Sequence, residues 1–154
     1  MGTVTVSQGL PVSLQVAEAA WYDTSRWASW VDGLEGVEAV SSQWPAGGAV
    51  RWHTGPAGRG RVQETVLTHD LGQGQTVEVS DDSVDGRQSV SFIAAGEDDA
   101  TVRLTLNYKI RKRSVVTPLV DVLFIRRAMR DSLRATLHRF AGELAAPPAD
   151  PGPA

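Results

Sequence analysis

From Gly36 to Arg113 the apolar residues recur at every second position, and that alternation limits the fold more than any other feature. The clearest stretch sets Val102, Leu104, Leu106, Tyr108 and Ile110 against Thr101, Arg103, Thr105, Asn107 and Lys109. Val50 and Trp52, Val62 and Val66, Val77 and Val79, and Val90, Phe92 and Ala94 repeat it. A period of two with one apolar side describes an antiparallel sheet covered on one face. Turn signals divide the strands: GPAGRG at 55–60, LGQG at 71–74, DG at 85–86 and GEDD at 96–99. A turn at Asp85-Gly86 sets Val79 opposite Phe92 and Asp81 opposite Val90. A turn at 96–99 sets Phe92 opposite Leu104 and Val90 opposite Leu106. A turn at 71–74 sets Val66 opposite Val79 and Glu64 opposite Asp81. These registers keep the apolar residues on one face, which a one-residue slip would undo. For the 55–60 hairpin, the register that buries Trp52 beside Val62 is preferred to the one that turns Arg51 and His53 inward.

Helical spacing brackets the strands. After a short strand around Thr3 to Ser7, Pro11 suits a first helical turn, and Leu14, Ala17 and Trp21 carry a helix to about Tyr22. Thr24 can cap a second helix bearing Trp27, Trp30 and Val31, ended by Gly33. Thr117 and Pro118 make an N-cap and first position for a last helix. Along it Val122, Ile125, Met129, Leu133, Leu137, Phe140 and Leu144 recur at spacings of three and four. Running to Ala145, it would be about 40 Å long and could cover the open face of a six- or seven-stranded sheet. The expected class is α+β, a curved antiparallel sheet around a long C-terminal helix. Residues 1–146 form one domain, and the proline-rich 147–154 is a disordered tail.

The 154 residues contain no cysteine, which excludes disulfides, thiolate catalysis and cysteine-ligated zinc. Nothing at the N-terminus reads as a signal peptide, and no run approaches the roughly 18 apolar residues of a spanning helix. A cytoplasmic location is the default. A net charge of −3 argues against a nucleic-acid partner. Thirteen arginines against two lysines suggest a GC-rich bacterial genome. His53, His69 and His138 lack metal-ligand spacing, and the first two fall on the polar parity, so no metal or other cofactor is expected.

The segment YDTSRWASWVDGLEGVEAV, with Asp23, Trp27, Trp30, Gly33, Leu34, Gly36 and Val37, resembles the START-like (SRPBCC) superfamily where its small helices lead into the second strand. GGAVRW at 47–52 resembles the start of the third strand, and the element order matches over residues 3–145. The resemblance implies a helix-grip fold with a cavity between sheet and helix for an apolar or aromatic molecule. It takes in polyketide cyclases, hydroxylase subunits, plant allergens and lipid-transfer proteins. The hydroxylases' two-histidine, one-carboxylate iron site has no counterpart here. The cyclases place arginine and serine in the pocket, whereas every strand arginine here except Arg51 falls on the polar face.

Glu64 is the candidate with most chemistry. On the apolar face between Val62 and Val66, a carboxylate must find a partner or hold its proton, which suits a general acid or base. Asp81 is its expected neighbour, or simply begins a turn. Tyr108 could orient a carbonyl or phenol, or be a core tyrosine with its hydroxyl at the rim. All five tryptophans precede residue 53. Trp27 and Trp30 pack the small helices on the sheet, while Trp52, and less securely Trp44, can offer a flat wall. The expected ligand-lining set is Trp30, Trp52, Val62, Val66, Val79, Asp81, Phe92, Leu104, Leu106, Met129 and Leu133, with Glu64 and Tyr108 as catalytic candidates. GPAGRGR at 55–61 lacks a phosphate loop's lysine and reads as a hairpin turn. Arginines 126, 127, 130, 134 and 139 form a solvated face, tempered by Arg127–Asp131 and Arg139–Glu143 pairs, or meet an anionic partner such as an acyl carrier protein or a membrane surface.

Three functions compete. The chain is a binding protein for a small hydrophobic molecule, a polyketide aromatase/cyclase performing aldol closure and dehydration, or an interaction module using its last helix. The enzyme reading brings an acyl carrier protein as partner, and the chain is a monomer or homodimer.

Overall fold

A computed structural model describes residues 2–56, 58–110 and 119–146. Strand β1 (Gly2–Leu10) precedes helix α1 (Leu14–Tyr22), a 3-10 turn (Thr24–Arg26) and α2 (Trp27–Trp30). Six strands follow: β2 (Leu34–Val40), β3 (Ala49–Thr54), β4 (Arg61–Asp70), β5 (Gly74–Ser80), β6 (Val84–Ala94) and β7 (Ala100–Ile110). Helix α3 (Leu119–Ala145) comes last. The sheet runs β1-β7-β6-β5-β4-β3-β2 and every pair is antiparallel, so the first strand closes onto the last. Helix α3 packs against β1 and α2 across its apolar face.

Side chains set the boundaries of the small helices. Ser13 caps α1 by accepting the Val16 N–H at 3.3 Å, so Pro11 lies ahead of the helix instead of inside its first turn. Asp23, not Thr24, caps the following turn by accepting the Ser25 N–H at 3.2 Å. Gly33, at φ 77°, carries the chain from α2 into β2 in a conformation other residues resist.

The strands are where the alternation predicts, but three pairings are displaced. Val79 faces Gly86, Val66 faces Val77, Glu64 faces Val79, Phe92 faces Val102, and Val90 faces Leu104. Each displacement is an even number of residues, so the apolar face survives. The β5–β6 turn lies at 81–83, where Asp81 Oδ1 accepts the N–H groups of Ser83 at 2.8 Å and Val84 at 2.9 Å. Gly86 is therefore a strand residue. It faces Tyr108 so closely that a Cβ there would strike the Asn107 backbone. A bulge between Val66 and Thr68 swaps faces, and His69 turns inward to within 5.2 Å of the Tyr22 ring, not outward as expected. Ala94 is exposed. Preferred register and structure agree at β3–β4, where Trp52 is opposite Val62.

Leu133, Leu137 and Phe140 carry the buried side of α3, with Ile125, Met129 and Leu144 partly buried against the core. The expected cap at Thr117 and Pro118, the Val122 side chain and the 147–154 tail lie outside what is described.

Candidate functional site

Trp52 and Glu64 lie diagonally across β3 and β4 on the inner face, because Val50 faces Glu64 and Trp52 faces Val62. The Trp52 Nε1–H donates to Glu64 Oε2 at 2.6 Å. Glu64 is 8% exposed. Burial raises its carboxyl above the ordinary range, opposed by the Trp52 hydrogen bond and the positive charge of Arg59. Beside it is a small chamber of about 50 Å³, walled by Trp21, Trp27, Trp30, Trp52, Val79, Leu104, Leu133 and Thr136 among others. Trp30 stands 4.7 Å from both Trp21 and Phe140, centroid to centroid, so aromatic side chains occupy most of the space between sheet and helix here.

A larger cavity of about 360 Å³ opens beside the first half of α3. Phe124, Ile125, Ala128 and Met129 line it from the helix, Val84 and Leu106 from the sheet, and Thr54, Gly58 and Arg59 from the β3–β4 hairpin. Its size falls within the roughly 300–1,000 Å³ usual for small-molecule sites. Asp32, Arg59, Ser132 and Leu133 border both spaces. Arg59 Nε donates to Asp81 Oδ2 at 2.7 Å, and its guanidinium sits 5.7 Å from the centre of the Trp52 ring.

The candidates divide accordingly. Trp30, Trp52, Glu64, Val79 and Leu104 border the inner chamber, Asp81, Leu106 and Met129 the outer cavity, and Leu133 both. Val62, Val66, Phe92 and Tyr108 border neither. Val62, Phe92 and Tyr108 are buried core, with Val66 packed against it. Tyr108 faces Gly2 across β1–β7 so closely that its ring leaves no room for a Cβ there. Trp44 packs on Tyr22 and Trp27, and its Nε1–H donates to the Tyr22 carbonyl. Asp81 is not the cross-strand partner of Glu64. It clamps Arg59 and its own turn.

Arg59 is the residue that strand periodicity missed, since the glycine-rich stretch around it read only as a turn. An inward Glu64 carboxyl with no cation on the same strand face was the signal that a loop could supply one. The Arg127–Asp131 and Arg139–Glu143 pairs do not form. Arg139 instead meets Asp32 at 3.2 Å and Glu143 meets Arg26 at 3.4 Å, which ties α3 to the small helices. Among the described residues no group of histidine and carboxylate side chains could hold a metal, and no helix is long and apolar enough to cross a membrane.

Seven antiparallel strands curved around a long C-terminal helix, with short helices after the first strand, define the helix-grip class. The chain belongs to the family described as polyketide cyclase/dehydrase and lipid transport, whose model matches residues 1–145. Among solved structures it is similar to the Zhui aromatase/cyclase from Streptomyces sp. R1128, with a TM-score of 0.77 and 14% identity over 93% of each chain. A START superfamily protein from Mycobacterium smegmatis gives a TM-score of 0.73 at 13% identity, covering 92% of this chain and 96% of that one. Truncated norcoclaurine synthase from Thalictrum flavum gives 0.71 at 10%, covering 95% and 94%. At these identities the likeness is one of fold. No curated protein sequence matches.

Proposed function

We propose that the chain binds a small apolar or aromatic molecule in the outer cavity, between α3 and the β5–β6 hairpin. The observation that carries this reading is a cavity of about 360 Å³ with Val84, Leu106, Phe124, Ile125 and Met129 in its walls, in a domain whose other end is packed with aromatic rings. The family, which includes lipid transport, supports it. The test is titration with N-phenyl-1-naphthylamine, whose fluorescence rises in apolar surroundings. Wild type should saturate, and Met129→Trp, which fills the cavity, should weaken binding at least tenfold while circular dichroism stays unchanged. Equal binding by both proteins would place the ligand elsewhere.

A second reading is an aldol cyclase/dehydratase delivered its substrate by an acyl carrier protein. Glu64 favours it, because burial raises its carboxyl and suits it to proton transfer at the inner end of the site. Arg126, Arg127, Arg130 and Arg134, which make no ion pair among the described residues, would meet an acidic carrier. Glu64→Gln would then abolish turnover of a carrier-bound poly-β-ketone with the fold intact. A pure binding protein would show no turnover to lose.

A further inference from the structure

The sheet ends on two outer strands, and they are guarded differently. Strand β2 breaks register with β3 twice and carries Glu35 and Glu38. Bulges and charges of that kind keep an edge from pairing with another chain. Strand β1 keeps one register with β7 from Gly2 to Leu10 and has no charged residue and no proline. Its run Thr3, Val4, Thr5 and Val6 favours an extended backbone. In an antiparallel ladder about half of a strand's N–H and C=O groups point away from its partner. Among the described residues no backbone hydrogen bond joins β1 to any element besides β7. A groove of about 450 Å³ lies beside this edge, with Ser7 and Gln8 on one side and Arg134, Ala135 and His138 of α3 on the other. Leu137, fully buried, forms its floor. No carboxylate among the described residues lines it. Arg134 is exposed and makes no ion pair among those residues. Arg103 stands at the rim, its Nε donating to Ser7 Oγ at 3.3 Å.

We infer that β1 is a docking edge for an extended acidic peptide of another protein, which adds to the sheet beside β1 and turns alternate carboxylates toward Arg134 and the ring N–H of His138. Main-chain hydrogen bonds to the free edge supply affinity, and the alternate side chains supply the choice of partner. The guanidinium and the imidazole donate to carboxylates, and a basic peptide would set like charges together. A second copy of this chain fits the edge poorly. Two β1 strands paired about a two-fold axis would bring the arginine faces of two α3 helices against each other. The inference stands apart from the ligand cavity, since no residue lines both that cavity and this groove.

The test uses the full chain and three fluorescein-labelled peptides in which threonine alternates with glutamate, with glutamine or with lysine. In fluorescence anisotropy the glutamate peptide should bind at least ten times more tightly than the glutamine peptide, and the lysine peptide should bind most weakly. With the glutamate peptide bound, the β1 amides that do not bond β7 should exchange hydrogen at least ten times more slowly. Arg134→Gln should weaken the glutamate peptide at least fivefold and leave the glutamine peptide within a factor of two, with circular dichroism unchanged. The inference is overturned if the three peptides bind alike or if none binds. It is also overturned if the glutamate peptide binds and β1 exchange stays the same, because the peptide is then only a counterion of the arginines. A dimer in sedimentation velocity that slows β1 exchange without peptide would assign the edge to a second copy and overturn it as well.

Discussion

The two halves of α3 lie on the same sheet, yet one end of the groove is packed and the other is open. At the C-terminal end Leu137 and Phe140 are fully buried, and Phe140 meets Trp21 and Trp30. At the N-terminal end Phe124 is 71% exposed, and Ile125 and Met129 border empty volume. The contrast comes from what stands opposite. The packed end faces indole rings, whereas the open end has no indole opposite it and meets Val84 and Leu106 together with the small Gly33, Thr54, Gly58 and Ser83, which leave the gap unfilled. A cavity here is thus a matter of side-chain volume in the loops, since the strand pattern is the same at both ends.

The sharpest way to break the comparison is to truncate one apolar side chain at each end. Phe140→Ala should cost about 3–5 kcal/mol in urea unfolding, because it leaves a void among rigid rings. Met129→Ala should cost roughly 1 kcal/mol, because the side chain already borders empty space. Similar losses at both ends would show that the open end is packed in solution.

The junction between the ends gives the next effect. Asp81→Ala strands the Arg59 Nε and the N–H groups of Ser83 and Val84. It should cost about 2–3 kcal/mol, below the figure for a wholly buried pair because the Arg59 side chain is 32% exposed. Asp81→Asn keeps an acceptor for the turn and should cost less. If the two variants unfold at the same urea concentration, the turn and the clamp are not separable.

The smallest effect sharpens the chemistry of the packed end. Burial raises the Glu64 carboxyl in the folded state, so the folded chain keeps a proton that the unfolded chain releases above about 4.3. Its contribution to stability is therefore present in acid, falls as pH rises toward the raised value, and is level beyond it. Glu64→Gln removes that dependence. The stability of the variant minus that of wild type should shift in the variant's favour between about pH 4 and pH 7. A difference that is flat with pH would mean the carboxyl is not raised.

Much of the sheet was legible because a period of two in β-branched residues survives any even displacement of register. Glu64 inward beside Trp52 follows from that parity. The hairpin ends were not legible. Asp85-Gly86 has the composition of a tight turn, but Gly86 answers to crowding by Asn107, and the Asp81 side chain makes the turn instead. Arg59 was hidden for a related reason: loops have no period, so the direction of a loop side chain depends on what it meets.

The sequence alone determined the class of fold, the inner face of the sheet and the presence on it of one carboxyl that must be paired or neutral. Alternation and helical spacing are local, and burial enforces them strand by strand. Only the tertiary structure decided that Asp81 serves Arg59 and not Glu64, and that tryptophans fill one end of the groove while the other stays open. Those outcomes depend on side-chain volumes and charges brought together from elements far apart in the chain, where no local pattern records them.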